Sequence, residues 1–254
     1  MRANYHTHTF RCGHAVGTER EYIERAVAGG LEILGFSDHA PYELPGLHPG
    51  IRMAPEELEG YVDTLQSLRE EYAGRLELRI GLEAEYYPAG FDTLLKRARA
   101  AGIEYLILGQ HFLGNEYGEH YNGAAFDDPA LLDRYVAQSC EAMRTGVFSY
   151  FAHPDLYYFT GDDRRYTEAA RALCQSANDC GLPVEINLLG LREGRNYPDE
   201  RFWRVAGEEG CSAVLGCDAH APAGVSIPET EQKALALAER CRLRVLNSVT
   251  LRAL

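Results

Sequence analysis

The chain alternates short apolar runs with longer stretches whose apolar residues recur at helical spacing. The runs cover residues 3–6, 33–37, 78–83, 105–109, 148–153, 183–188 and 213–217. Each is brief, often β-branched or aromatic, and flanked by Gly or Pro, as a strand buried on both faces is. The stretches between them, 19–28, 55–72, 91–101, 129–145, 167–180, 199–209 and 228–240, read as amphipathic helices. Thr18 is placed to cap the first, with Glu21 three residues on. The second opens with Pro55 in its first turn and carries Leu58, Tyr61, Val62, Leu65 and Leu68 at helical spacing. Gly29, Gly102, Gly146, Gly181 and Gly210 stand where helices stop.

Seven strand–helix units in a row predict a parallel sheet covered by helices. Such a sheet either stays open and doubly wound or curls into a barrel. An open dinucleotide-binding sheet would carry GxGxxG after its first strand, and this chain has none there. A barrel gathers polar chemistry at the C-terminal ends of many strands at once. This sequence does that, so the expected fold is a seven-stranded (β/α)7 TIM-like barrel forming one domain over residues 1–254.

Composition narrows the function classes. Hydrophobic residues make up 46% and charged residues 25%, which suits a globular chain with a full core and excludes disorder. No run approaches the ~20 apolar residues of a membrane span. The opening MRANYHTHTF lacks the apolar centre of a signal peptide, and seven Cys without a CxxC pair fit reduced thiols. A cytoplasmic protein is therefore expected. The net charge of −13 argues against nucleic acid or an anionic membrane as partner, since both require a basic footprint. All basic residues but Lys96 and Lys233 are arginine. Oligomeric state is not legible.

The chemistry sits at the strand ends. The first strand ends in His6-Thr7-His8 with His14 shortly after, and the second in Asp38-His39. The third holds Glu83, the fourth ends in Gln110-His111, the fifth in His153-Pro154-Asp155 and the seventh in Asp218-Ala219-His220. Residues two apart on a strand point the same way, so His6 and His8 can bind one ion together, as can Asp218 and His220. Imidazole and carboxylate donors suit Zn, Mn or Fe, and the lack of Cys among them argues against a structural zinc site. Any one of these is weak evidence: His-x-His occurs in cores and on surfaces, Asp38 can simply hold a histidine tautomer, and Glu83 can form a buried ion pair with Glu85 facing solvent. Their placement on six of seven strand ends is what carries the reading, and only His48 and His120 fall elsewhere. Nine candidate ligands, His6, His8, His14, His39, Glu83, His111, His153, Asp218 and His220, exceed one ion and match two or three sharing a bridging carboxylate. Amidohydrolases also begin with His-x-His, but many bridge their ions with a carboxylated Lys after strand four. That end here reads Leu108-Gly109-Gln110-His111, leaving Glu83 as the bridge.

These motifs resemble the polymerase-and-histidinol-phosphatase (PHP) family over essentially the whole chain. SDHAPYELPGLHPGIRM and EINLLGLREGRNYP look like its histidinol-phosphatase branch. The resemblance implies a distorted seven-stranded barrel with three metals. It assigns one ion to His6, His8, Glu83 and Asp218, a second to Glu83, His111 and His153, and a third to His14, His39 and His220. Arg192 matches the branch's phosphate-contacting arginine, with Arg195 and Arg52 as further phosphate-binding candidates.

A metal-dependent phosphatase acting on a small phosphate monoester follows as the expected function, with L-histidinol phosphate as the implied substrate. Three divalent ions less the charges of Glu83 and Asp218 leave about +4 at the mouth, enough to draw a dianion to an acidic protein. A water shared by two ions would ionise near neutral pH and attack phosphorus. Neither Cys12 nor Cys217 is followed by the Arg of a CxxxxxR phosphatase loop. Asp155 is the candidate acid for the leaving alkoxide or, alternatively, a support for a metal-bound histidine, and Asp38 a support as well. Another small phosphate ester, such as a nucleotide or phosphosugar, and a non-catalytic metal-binding domain are the competing readings. No basic residue directly follows His153-Pro154-Asp155, where the branch often places one.

Overall fold

The computed structural model describes residues 1–47, 50–116 and 119–254. His48 lies outside the described residues. Among them, eight parallel strands form one sheet in sequence order: β1 (Ala3–Asn4), β2 (Ile33–His39), β3 (Glu77–Ala84), β4 (Tyr105–Leu108), β5 (Phe148–Phe151), β6 (Val184–Asn187), β7 (Ser212–Gly216) and β8 (Arg244–Val245). All seven expected strands are present, and β8 is one more than expected. It is a two-residue pairing of Arg244 and Val245 with Ser212 and Ala213, too short and too polar to announce itself as an apolar run. The sheet curls until its first and seventh strands meet at the C-terminal rim, where Thr7 and Ala219 form a parallel bridge and His8 N–H donates to the Ala219 carbonyl at 3.0 Å.

Among the described residues eight α-helices cover the sheet: α1 (Glu19–Ala28), α2 (Leu58–Glu71), α3 (Phe91–Ala101), α4 (Pro129–Arg144), α5 (Asp163–Asp179), α6 (Leu188–Glu193), α7 (Glu200–Glu208) and α8 (Pro228–Arg240). The expected capping box forms on α1, with Thr18 accepting from Glu21 N–H and Glu21 reaching back. Helix α5 starts four residues before the expected 167, because Asp162 accepts from the backbone N–H groups of Arg164 and Arg165 and caps a first turn opened by three charged residues, Asp163, Arg164 and Arg165. Helix α6 is an addition to the expected set. It begins directly where β6 ends, capped by the Asn187 side chain, which accepts from Gly190 N–H at 2.9 Å.

The core has two layers. The larger lies between sheet and helices and takes one face of each strand, for example Leu106 and Leu108 of β4. The smaller fills the inside of the curl at its N-terminal end with Tyr5, Tyr105, Ile107, Tyr150, Ala152 and Val214, against which Leu246, Val249 and Leu251 of the C-terminal tail pack. The two-residue period of Tyr105/Ile107 and Tyr150/Ala152 assigns these side chains to the inner face. The Tyr105 hydroxyl donates to the Tyr5 carbonyl at 2.8 Å, so this plug is also satisfied as a polar group. Filling one end leaves the other, at the C-terminal ends of the strands, for the site. Among the described residues no helix is long and apolar enough to cross a membrane.

Candidate metal centre

Strand register and backbone conformation bring the strand-end residues together. His39 is level with Glu83 across β2 and β3, and Glu83 is level with Ile107 across β3 and β4. His153 and Asp218 leave β5 and β7 with positive φ, 29° and 46°, a left-handed conformation that costs energy and turns each residue abruptly off its strand. Gly109 makes room for the central carboxylate, since a Cβ there would lie 2.0 Å from Glu83 Oε1.

Glu83 is the hub. Its Oε1 lies 2.8 Å from His153 Nε2 and 3.5 Å from His111 Nε2, while Oε2 lies 3.5 Å from both His6 Nε2 and His8 Nε2 and 3.1 Å from His39 Nδ1. Asp218 Oδ1 stands 3.5 Å from His6 Nε2, 3.1 Å from His8 Nε2 and 3.4 Å from His220 Nδ1. His8 stacks on His220 with ring centroids 4.0 Å apart, and His14 on His220 at 4.7 Å. All nine sequence-predicted ligand residues are thus within one cluster.

The donor atoms fit metal ions better than each other. His6 Nε2, His8 Nε2, Glu83 Oε2 and His220 Nε2 are buried without a hydrogen-bond partner among the described residues. Leaving such atoms unpaired costs roughly 1–3 kcal/mol each. Two donors on one ion, each at about 2.1 Å, stand about 3.0–3.4 Å apart for angles between octahedral and tetrahedral. Three of the eight separations above fall in that range, four stand just beyond it at 3.5 Å, and one is 2.8 Å. Groups of donors close enough to share an ion include His6, His8 and Glu83, then His6, His153 and Asp218, and also His8, His39 and His220.

Buried partners hold the ligands from behind. His6 Nδ1 lies 2.8 Å from Glu185 Oε2, and His111 Nδ1 3.0 Å from Glu85 Oε1. Glu85 is therefore buried behind a histidine rather than facing solvent. Arg52 Nη2 stands 3.5 Å from that same Glu85 oxygen, and its guanidinium donates to both oxygens of Glu116. Asp38 Oδ1 lies 3.5 Å from His8 Nδ1, while its Oδ2 accepts from Thr9 N–H and the Thr9 hydroxyl.

Without metal the cluster polarises itself. Burial alone would raise the Glu83 carboxyl, but His111, His6 and His39 hold it well below the usual range. Burial opposes charge on His8 too, yet Asp218 and Asp38 push its pKa up to about 9. His220, buried and beside the charged His8, falls to about 3, and His39 falls well below its ordinary value for the same two reasons.

A cavity of about 530 Å³ opens over the cluster. His14, His39, Glu83, His111, Asp218 and His220 form its polar floor, and Ile51, Phe112, Tyr121, Leu189, Tyr197, Glu85, Glu193 and Arg195 complete the described lining. Three residues expected to meet substrate lie elsewhere. Asp155 is buried but faces α7: its Oδ2 accepts from Asp199 N–H at 2.7 Å and from Trp203 Nε1 at 2.9 Å, and it is absent from the described lining. Those two hydrogen bonds tie it to the start of α7. Arg192 extends along the surface, with Nη2 3.4 Å from Glu193 Oε1 and Nη1 beside Gly224, and it too is absent from the described lining. Arg52 is held behind His111 by its two carboxylates instead of reaching the cavity. Arg195 is the guanidinium on the wall, where it donates to Glu193 and to the Tyr197 hydroxyl. His120 is apart from the cluster, edge-on to Phe126.

The PHP domain model matches residues 4–188 of this sequence. The chain belongs to the PHP family. A Deinococcus radiodurans protein named "Probable histidinol-phosphatase" is 35% identical to this PHP chain over 237 residues, covering 87% of the chain and 86% of the relative. A Bacillus subtilis histidinol-phosphatase is 26% identical, covering 85% of the chain and 92% of the relative. In structure the PHP chain is similar to a histidinol phosphate phosphatase from Lactococcus lactis complexed with zinc, L-histidinol and phosphate, with a TM-score of 0.76 at 17% identity and coverage of 99% and 97%. That likeness supports the fold.

Two polar residues of this PHP chain, Glu185 and Asn187, join the cluster without having been singled out by the sequence reading. The signal was present: Val184-Glu185-Ile186-Asn187 interrupts a buried strand with two polar residues two apart, the pattern that marks His6 and His8.

Proposed function

We propose that this PHP chain is a metal-dependent phosphatase that hydrolyses L-histidinol phosphate to L-histidinol and phosphate. The observation that carries the reading is the division of one buried carboxylate, Glu83, among the imidazoles of His153, His39, His6 and His8 beneath an open cavity, with His6 Nε2 and His8 Nε2 lacking a hydrogen-bond partner among the described residues. The named relatives that match over most of their length support the substrate. A single domain over residues 1–254 is supported by one continuous sheet among the described residues. Cytoplasmic location is part of the proposal, supported by seven unpaired cysteines.

The donor set suits two or three divalent ions, with Zn, Mn and Fe all accepting such ligands. His6, His8, Glu83 and Asp218 would hold one, Glu83, His111 and His153 a second, and His14, His39 and His220 a third. When bound, such ions lower the pKa of water and neutralise phosphate charge. The chain's own residues then do the positioning. Glu83 fixes the spacing of the centre through its two oxygens. Arg195, already oriented by Glu193 and Tyr197, offers a guanidinium to a phosphate oxygen. Phe112, Tyr121 and Tyr197 supply aromatic wall for a flat, imidazole-sized group, and the cavity is of small-ligand size.

The test is phosphate release from a panel holding histidinol phosphate, sugar phosphates, nucleoside monophosphates and a phosphotyrosine analogue, with metal content measured on the same preparation. A kcat/KM above ~10⁴ M⁻¹s⁻¹ for histidinol phosphate, well clear of the others, supports the proposal. Flat, weak activity with metals bound would retain the chemistry and reject the substrate. No hydrolysis by metal-loaded protein would reject both.

A further inference from the structure

Strand β6 supplies none of the nine candidate ligands, yet it places two fully buried polar side chains among them. Glu185 and Asn187 stand two residues apart and so share a face. The Glu185 carboxylate receives His6 Nδ1, 2.8 Å from Oε2 and 3.1 Å from Oε1. Asn187 Nδ2 donates to Glu185 Oε1 at 2.8 Å and to Asp218 Oδ2 at 3.1 Å. Gly216, level with Asn187 on β7, clears the space, since a Cβ there would lie 2.1 Å from Glu185 Oε2. A third carboxylate buried beside Glu83 and Asp218 is costly unless it is held by partners of opposite charge or by hydrogen bonds. An imidazole that gives its Nδ1–H to a carboxylate keeps its Nε2 lone pair for a metal. His6 Nε2 is the atom that faces Glu83 and Asp218 and has no hydrogen-bond partner among the described residues.

We infer that Glu185 and Asn187 are positioning residues that fix the Nδ1–H tautomer of His6 and aim Asp218, so that a divalent ion is retained between His6, Glu83 and Asp218. The inference rests on the metal-centre reading above.

The experiment uses the full chain loaded with zinc and reads metal and tautomer, not turnover. Glu185→Gln preserves shape but removes the charge and offers a competing donor. Zinc affinity, measured by competition with a chromogenic chelator, is expected to fall about 10–100-fold. The nitrogen chemical shifts of His6 are expected to lose the pattern of an Nδ1-protonated, Nε2-bound ring. Asn187→Ser keeps a helix cap for α6 but withdraws the bridging donor, and is expected to weaken zinc binding in the same direction. It also decides the matter should Glu185→Gln fail to fold. Zinc affinity within twofold of wild type and unchanged His6 shifts in a folded variant would overturn the inference while leaving the function proposed above intact. A wild-type chain that binds no zinc would overturn both.

Discussion

Glu83 Oε1 and His153 Nε2 lie 2.8 Å apart, while the other oxygen of the same carboxylate lies 3.1 Å from His39 Nδ1. One side chain on β3 thereby links imidazoles from β2 on one side and from the turn after β5 on the other. Among the described residues no other side chain of the cluster touches donors on so many elements, so the centre should depend on Glu83 more than on any single histidine.

That dependence is testable from two directions. Glu83→Ala is expected to release at least two of the bound ions and to slow turnover about 10³-fold or more, roughly 4 kcal/mol of barrier. Gly109→Ala is expected to do much the same without replacing a ligand, because its Cβ would come within 2.0 Å of Glu83 Oε1 and force the carboxylate aside. Metal analysis after dialysis and far-ultraviolet circular dichroism separate loss of metal from loss of fold. Full metal content in Gly109→Ala would show that the carboxylate has freedom the structure does not give it.

The two arginines of GLREGR should separate as well. Arg195 lines the cavity and Arg192 does not, so Arg195→Ala is expected to raise KM about tenfold or more with metal content unchanged, while Arg192→Ala stays within about threefold of wild type. Steady-state kinetics on histidinol phosphate decide this. A larger effect at Arg192 would mean that the surface pairing with Glu193 gives way when substrate binds.

Strand–helix alternation and strand-end histidines were legible because each is a local pattern: the apolar runs predicted the strands, and His6/His8 declared a shared face by spacing alone. What escaped was set by three-dimensional proximity. Asp155 sits two residues after His153, which suggested chemistry, but the chain turns there at positive φ and sends the carboxylate to Trp203, 48 residues away. Arg52 lies in a loop that a sequence reader expects to reach substrate, yet Glu116 captures it. Strand β8 and helix α6 are too short to show a period at all. The carboxylates behind the ligands, Glu185 and Glu85, differ from ordinary surface acids only in what they face.

The revised place of Asp155 makes its own prediction. Burial pushes its carboxyl up to about 7. A carboxyl with a raised folded pKa contributes most below its unfolded value of about 4, and that contribution is lost as pH rises through 7. Asp155→Asn can still accept from Asp199 N–H and Trp203 Nε1, and it carries no charge to bury. Relative to wild type, the variant's melting temperature should therefore improve as pH rises from 4 to 8, and turnover should remain within about twofold. Turnover slowed roughly a hundredfold with full metal content would restore Asp155 as the acid.

Metal removal should reverse the pH dependence of stability. In the metal-free cluster burial opposes charge on His6 and His8, but Glu185 and Asp218 for the first, and Asp218 and Asp38 for the second, raise both above the ordinary imidazole value of about 6.5, His8 to about 9. A histidine with a raised folded pKa contributes stability that is complete below 6.5 and lost as pH climbs through its folded value. The chelated protein should thus lose stability on the order of a few kcal/mol between pH 6.5 and 9 and melt at progressively lower temperature. Zinc requires those same nitrogens free of protons, so each proton displaced makes binding about tenfold tighter per pH unit over that window. His39 and His220, whose pKa values are lowered by burial and by the charged His8, have no proton to release there, and an ion held by them should bind with little pH dependence. Zinc titrations at several pH values, with melting curves of loaded and chelated protein, should resolve a pH-steep class of ion from a pH-flat one. A chelated protein that gains stability from pH 6.5 to 9 would mean that His6 and His8 are neutral in the empty cluster, and that the carboxylates around them are not charged as the geometry requires.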